Sequence, residues 1–173
     1  MTGSGSRTAA ASSSAYEAGT TAAPMSFRDG PRYIRMDYKL ELVLIPVTDV
    51  DRAKKFYLGN MGFVLIVDTA IGDGQRVVQV VPPGSECAIG FGTGITSAAP
   101  GSAQGLHLVV SDIVAARAEL AGRGGAIGPV RHMVSGQWVE GPHPERENYQ
   151  SFADFTDPDG NIWLLQEVDR STG

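Results

Sequence analysis

The sequence is poor in cysteine and in long apolar runs, and both deficits limit where the protein works. Cys87 is the single cysteine among 173 residues, so no disulfide can form within the chain. Because disulfides belong to oxidising compartments, we expect the cytoplasm. No apolar run approaches the roughly 18 residues that a transmembrane helix needs, so the sequence predicts no membrane partner.

Clustered positive charge is also missing. The chain has 14 Lys and Arg against 19 Asp and Glu, a formal net charge of −5, and its basic residues are scattered. Phosphate binding needs clustered Lys and Arg, so the sequence predicts no nucleic-acid partner. A chain of 173 residues with 42% hydrophobic content can form one domain with a substantial core, but it is too short for two ordinary domains.

The first 37 residues lack any periodic apolar pattern. Up to about Pro24 they are almost entirely Ala, Ser, Thr and Gly. Such a segment cannot bury enough apolar surface to offset the entropy that ordering costs. We therefore predict a disordered tail over residues 1–37 and a single folded domain over residues 38–169.

A strand, a helix and three further strands are predicted in the first part of that domain. Asp49 is a plausible N-cap, and Gly62 lies just beyond the helix that it would start. The apolar patterns place strands at residues 40–47, 63–68, 75–81 and 87–91, with the helix at residues 50–58. This βαβββ arrangement forms a first module over residues 38–98.

The chain then repeats this pattern 63 residues later. That offset places Asp112 on Asp49 and Gly125 on Gly62. It predicts a second module over residues 103–169, with strands at 106–110, 126–133, 149–155 and 161–168 and a helix at 113–121. Each module must bury an apolar sheet face that it cannot bury alone. We therefore predict an α+β fold in which two curled mixed sheets surround a concave cavity.

Two segments carry a resemblance to a known family. Residues 44–63 resemble the opening of a vicinal oxygen chelate domain, and residues 155–161 resemble its closing hairpin. In that hairpin Pro158 presets φ, Gly160 supplies a positive φ, and Asp157 can accept hydrogen bonds from the following backbone. With the repeat, these motifs identify the chain as a member of the vicinal oxygen chelate superfamily, which includes glyoxalases, bleomycin-resistance proteins and extradiol dioxygenases.

The resemblance implies one divalent metal, held by His, Glu or Gln side chains from four strands. Carried over to this sequence, the four ligand positions are Leu42, Gly105, Leu164 and either Gly90 or Ala88. None of these side chains has a donor atom for a metal. Since a first coordination shell needs at least three protein donors, we predict a protein without a metal cofactor.

Strand alternation predicts what lines the cavity instead. Side chains two residues apart share a sheet face. The predicted ligand-binding residues are therefore Leu42, Leu44, His107, Val109, Ile162, Leu164 and Gln166. Trp163 and Leu165 are predicted on the opposite face, beneath the helices.

The connection over residues 134–148 is long for a compact domain. Such segments are often binding loops, so we predict that Trp138 covers the cavity mouth, with a Trp that only pins the loop to the sheet edge as the alternative. Acidic residues in this connection favour a cationic ligand or form a solvated surface; they are Glu140, Glu145 and Glu147. His132 and His143 are predicted at the surface.

Two function classes stay open. The first is a metal-free protein that binds or sequesters an apolar or aromatic small molecule, as the resemblance to antibiotic-resistance proteins implies. The second is a lyase, isomerase or oxygenase, with a divalent metal on displaced ligands such as His107, Glu86 and Gln166, or with His107 as the catalytic acid or base. The resemblance also implies a homodimer. Fold alone does not separate the two classes.

Overall fold

The computed structural model describes residues 36–170, which form nine strands and two helices. The first module contains β1 (Leu42–Leu44), α1 (Val50–Lys55), a π-helical segment (Phe56–Asn60), β2 (Val64–Gly72), β3 (Gln75–Val81) and β4 (Ala88–Thr93). The second contains β5 (Leu106–Val110), α2 (Ile113–Gly122), β6 (Arg131–Val134), β7 (Gln137–Glu140), β8 (Ser151–Thr156) and β9 (Ile162–Glu167). The tail predicted over residues 1–37 lies outside the described residues, apart from its last two. Within residues 36–170, no helix is long and apolar enough to cross a membrane.

The two sheets share one plan. The first sheet has the strand order β1-β4-β3-β2, and the second has β5-β9-β8-β6-β7. In each sheet the first strand of the module runs parallel to its last strand, while the other pairs are antiparallel. The predicted α+β class with two βαβββ modules is confirmed, and β7 is an additional strand in the second module.

The internal repeat is visible at both ends of the helices. Asp49 and Asp112 are extended N-caps with φ of −128° and −138°, and each side chain accepts a hydrogen bond from a backbone N–H of the first turn. Gly62 follows the first helix with φ of +68°, and Gly124 follows the second with φ of +83°. The counterpart of Gly62 is therefore Gly124, one residue before the predicted Gly125. The difference arises because the π-helical segment adds one residue to the first helix.

Both sheets turn their helix-covered faces toward one shared core. Tyr57, in the π-helical segment, is fully buried, and its ring lies 5.6 Å from that of Phe63 and 6.0 Å from that of Trp163. Trp163 and Leu165 are only 3% and 1% exposed, on the side where alternation predicts them. The opposite faces of both sheets therefore point away from the core. The sheets do not close around a common cavity, in contrast to the enclosed site that the sequence suggested.

The predicted closing hairpin joins the two modules through hydrogen bonds. Asp157 is almost fully buried and accepts from the backbone N–H groups of Asp159 and Asn161, both at 2.9 Å, and from the Tyr57 hydroxyl at 2.8 Å. Burial, followed by the Asp157 carboxylate, raises the pKa of Tyr57, so the phenol stays protonated and can donate. The Asn161 side chain donates to the Pro46 carbonyl at 2.9 Å. The hairpin motif thus has a structural role at the contact between modules.

Candidate functional site

Two of the positions assigned to metal ligands belong to the first sheet and two to the second. In the first sheet, Leu42 pairs with Ala88 in the β1–β4 register. In the second, Leu164 pairs with His107 in the β9–β5 register, and Gly105 directly precedes β5. Because both of these sheet faces point away from the shared core, one chain does not bring the two pairs together.

The residues at these positions do not fit a metal. A Cβ added to Gly90 would lie 3.2 Å from Leu42 Cδ1 and 3.1 Å from Leu44 Cδ2, so methyl groups fill the space where a ligand side chain would start. Among residues 36–170, no group of three or more His, Cys, Asp or Glu side chains could hold a metal ion. The donor set that the family's metal chemistry requires is not present at these positions.

Most of the predicted ligand-binding residues share the outward side of the second sheet. We call this surface the open face of the second sheet. It comprises His107, Val109, Arg131, Met133, Trp138, Glu140, Phe152, Asp154, Thr156, Ile162, Leu164 and Gln166. Leu42 and Leu44 lie on the corresponding face of the first sheet. The structure therefore brings six of the eight predicted residues onto one face and separates the other two.

Apolar side chains on this face are in contact with solvent. Val109 is 47% exposed and Ile162 is 42% exposed, while Leu164 and Gln166 are half-buried. His107 is exposed, and its ring forms no hydrogen bond or ion pair with any residue in the described part of the chain. The face combines exposed apolar side chains with polar and charged ones, and a single chain leaves it open.

Trp138 lies on a strand and not on the loop that the sequence predicted. Strands β6 and β7 form a hairpin in which Ser135 and Gly136 supply the turn, with φ of +48° and +81°. Trp138 pairs with Met133 across this hairpin. Four interstrand spacings, about 19 Å, separate β5 from β7. Trp138 and His107 therefore lie near opposite ends of the open face.

Three residues between those ends were missed by sequence reasoning. The guanidinium carbon of Arg131 lies 4.6 Å from the ring centroid of Trp138, and Arg131 Nη2 lies 2.9 Å from the Asp154 carboxylate. The Phe152 ring meets that of Trp138 edge to face at 5.7 Å. Alternation within the predicted strand at 149–155 places Phe152 and Asp154 on one face, which was the available signal. Arg131 had no comparable signal, because Gly128 and Pro129 interrupt the apolar alternation of the predicted strand at 126–133.

The connection after β7 is anchored to the second module. Arg146 Nε donates to the Glu167 carboxylate at 3.0 Å, and Arg146 Nη2 donates to Asp112 at 3.0 Å. These bonds from Arg146 lower the pKa of Glu167, while the backbone N–H of Ala115 is the main cause that lowers the pKa of Asp112. An arginine paired with two carboxylates ties this segment to the start of α2, so the segment does not behave as a free lid.

The two histidines that were predicted at the surface differ in their burial. His132 is buried, and its Nδ1 lies 2.9 Å from the Gly141 carbonyl oxygen. His143 is half-buried, with its ring 5.8 Å from that of His132. The predicted surface location is therefore wrong for His132, because alternation in β6 turns it to the side opposite Arg131.

The acidic candidates lie on the surface. Glu86 is exposed and forms an ion pair with Lys39 at 3.2 Å. The structure therefore does not assemble Glu86 with His107 and Gln166 as displaced metal ligands. Glu140, Glu145 and Glu147 are exposed as well.

A family model described as the Glyoxalase/Bleomycin resistance protein/Dioxygenase superfamily matches residues 39–165. The chain belongs to this superfamily. The match includes both modules and the closing hairpin, so the resemblance seen in the sequence is confirmed.

Solved structures of superfamily members show the same fold. The antibiotic binding protein TnmS3 from Streptomyces sp. CB03234 is 30% identical, with a TM-score of 0.61 over 78% of this chain and 99% of that one. A glyoxalase/bleomycin resistance protein from the same source is 32% identical, with a TM-score of 0.58 over 75% and 100%. A superfamily member from Sphaerobacter thermophilus is 28% identical, with a TM-score of 0.60 over 78% and 100%. No curated protein shows a significant match.

Proposed function

We propose that this superfamily member binds an apolar or aromatic small molecule without a metal, on the open face of the second sheet. The observation that carries the proposal is the composition of that face, where exposed Val109 and Ile162 share a surface with Trp138. Small-molecule sites are usually concave apolar surfaces with a small number of polar groups, so this face needs a cover to form one. The similarity to TnmS3, an antibiotic binding protein, supports binding as the activity.

A second copy of the chain is part of this proposal, because one open face buries too little apolar surface of the ligand for micromolar affinity. An aromatic ligand that removes about 500 Å² of apolar surface from water, counting its own and the protein's, gains about 12 kcal/mol. Micromolar affinity needs about 8 kcal/mol, which leaves about 4 kcal/mol for the lost freedom of the ligand, the low end of its estimated cost. An uncovered face contacts the ligand from one side only and buries roughly half of that area. The free energy of burial is then too small for micromolar affinity.

The open face of the first sheet is the part of the partner that suits this role. It carries Leu42 and Leu44, and Leu44 is 42% exposed. If this face covered the second sheet of another copy, all eight predicted ligand-binding residues would line one enclosed site. Exposed apolar surface of this kind marks an interaction site, and two-fold symmetry would form two such sites in a homodimer. The cytoplasm remains the expected compartment, since the chain has one cysteine.

A panel of aromatic natural products and antibiotics tests the proposal. Ligands that bind should raise the melting temperature and change the fluorescence of Trp138, which is 50% exposed. Leu164→Glu should abolish both effects, because it places an unpaired charge in the apolar site. Ala118→Glu, on the exposed side of α2, is the matched control and should bind like the parent. If Leu164→Glu stays folded and binds every hit as tightly as the parent, the site lies elsewhere.

A further inference from the structure

We infer that Arg131 determines ligand specificity, by selecting planar aromatic molecules that carry a neutral acceptor oxygen. This inference rests on the proposed function, because it concerns the ligand of the same open face. It names the chemical class of the ligand and a residue that recognises it.

The first observation is that Arg131 lies beside two aromatic rings that contact each other. Arg131 pairs with Phe152 in the β6–β8 register, and its guanidinium carbon lies 4.6 Å from the Trp138 ring centroid. The rings of Trp138 and Phe152 are 5.7 Å apart. Trp138 is 50% exposed, so the two rings offer an accessible surface on which a planar molecule can pack. Any polar group on such a molecule would lie close to the guanidinium.

The second observation is the number of unused donors on Arg131. A guanidinium has five N–H donors in a fixed plane. Nη2 contacts Asp154 at 2.9 Å, whereas Nη1 has no hydrogen-bond partner among residues 36–170. Nε is also without a hydrogen-bond partner there, but it is buried. The side chain as a whole is 34% exposed, so a ligand can reach the guanidinium. A ligand oxygen that accepts from Arg131 would supply an acceptor that the protein itself does not.

The charges around Arg131 favour a neutral ligand over an anion. Asp154 already forms an ion pair with Arg131, and Glu140 is its direct neighbour in the β6–β7 register. Two carboxylates next to one guanidinium leave no excess positive charge to attract an anionic group. A carbonyl or hydroxyl oxygen can still accept a hydrogen bond from the guanidinium. Of the other polar groups of the face, His107 lies on β5, away from the two rings, whereas Gln166 is the direct neighbour of Phe152 in the β8–β9 register.

A pair of probes that differ in one oxygen tests this inference. Acetylnaphthalene and ethylnaphthalene have nearly the same shape, and the first alone has a carbonyl acceptor. Their dissociation constants are measured by equilibrium dialysis with the full-length protein, with Arg131→Met and with Arg123→Met as the surface control. A charge-assisted hydrogen bond corresponds to about tenfold in affinity. We expect Arg131→Met to weaken acetylnaphthalene by about tenfold and ethylnaphthalene by less than about twofold, with Arg123→Met unchanged.

The alternative outcomes separate this inference from the proposed function. If Arg131→Met weakens both probes equally, or neither, Arg131 does not recognise the oxygen; the inference is then wrong while binding on this face stands. If the parent binds neither probe, the proposed function fails and the inference fails with it. Should circular dichroism show Arg131→Met unfolded, Arg131→Lys is used, since it keeps the charge but not the planar fork. A selective loss of acetylnaphthalene binding in Arg131→Lys supports the inference, and equal binding of both probes overturns it.

Discussion

Trp163 and Leu164 are neighbours in β9, yet they lie in opposite parts of the molecule. Trp163 is 3% exposed, contacts the rings of Tyr57, Phe63 and Phe155, and donates to the Tyr57 hydroxyl at 3.2 Å. Leu164 lies on the open face of the second sheet. The two sides of one strand therefore differ in what constrains them. Core packing determines which residues fit on the side that faces the core. On the open side, the residues can suit a ligand instead.

The largest expected effect comes from adding a charge to each side of β9. Leu165→Glu places a carboxylate at a position that is 1% exposed, where no partner for it is available among the surrounding core side chains. A typical domain is stabilised by only ~5–15 kcal/mol. Burying an unpaired charge costs a large part of that free energy. We expect Leu165→Glu to be unfolded by far-UV circular dichroism. Leu164→Glu should remain folded, so similar behaviour of the two variants would contradict the assignment of the faces.

The two tryptophans provide a second and smaller contrast. Trp163→Ala leaves a cavity among three aromatic rings and should lower the free energy of unfolding by about 3–5 kcal/mol. Trp138→Ala, at a half-exposed position in β7, should lower it by less than about 1 kcal/mol. Urea denaturation of both variants measures these values. A loss in Trp138→Ala as large as that in Trp163→Ala would mean that Trp138 serves folding and not ligand binding.

Arg146→Met tests the anchor that holds the connection after β7. The change removes the hydrogen bonds to Glu167, which is 2% exposed, and to Asp112. Hydrogen bonds to a charged group are worth about 2 kcal/mol, and we expect a loss of that size at neutral pH. Arg123→Met breaks an exposed pair with Glu119 on α2 and should change stability by less than about 0.5 kcal/mol.

The same anchor predicts a pH dependence. Arg146 lowers the pKa of Glu167 in the folded protein, so the stabilisation is complete above the unfolded pKa of about 4.3. It is lost as the pH falls through the lower, folded pKa. The difference in unfolding free energy between the parent and Arg146→Met should therefore be constant from about pH 6 to 8 and shrink below about pH 4.3. A difference that grows as the pH falls would show that another group is responsible.

His107→Ala should have the smallest effect on stability. The ring is exposed and has no partner among residues 36–170, so the change should stay within about 0.5 kcal/mol. The same urea denaturation measures it. A loss of unfolding free energy above about 1.5 kcal/mol would mean that His107 contributes to folding.

Local patterns in the sequence were enough to predict most elements and their faces. The caps at Asp49 and Asp112 depend only on the residues that follow them, so they could be recognised without tertiary information. Alternation within β9 correctly separated Trp163 and Leu165 from Leu164, because a strand reverses its side chains at every residue.

The relative packing of the two sheets could not be predicted in the same way. In β1, Leu42 and Leu44 are as apolar as Val43 and Ile45 on the other face, so hydrophobicity does not indicate which side enters the shared core. That choice depends on long-range contacts such as that between Tyr57 and Trp163. The enclosed cavity expected within one chain was therefore replaced by two outward faces.

The candidate site was only partly predictable for a related reason. Strand β7 is exposed along its whole length, so its sequence lacks the apolar alternation that predicts strands. Without β7, Trp138 was placed on a loop, and its neighbour Arg131 was not recognised as part of the face. The register between β6, β7 and β8 is the information that was missing.

Metal-free binding by a homodimer is tested most directly by native mass spectrometry of the protein after exposure to zinc or ferrous iron together with acetylnaphthalene, followed by desalting. We expect the mass of a homodimer that retains the organic ligand and carries well under one metal ion per chain, since Leu42, Gly105, Leu164 and Gly90 offer no donor atoms. The contrary result is a near-stoichiometric metal that disappears in His107→Ala. That result would replace metal-free binding with the metal-dependent enzyme as the function of this chain.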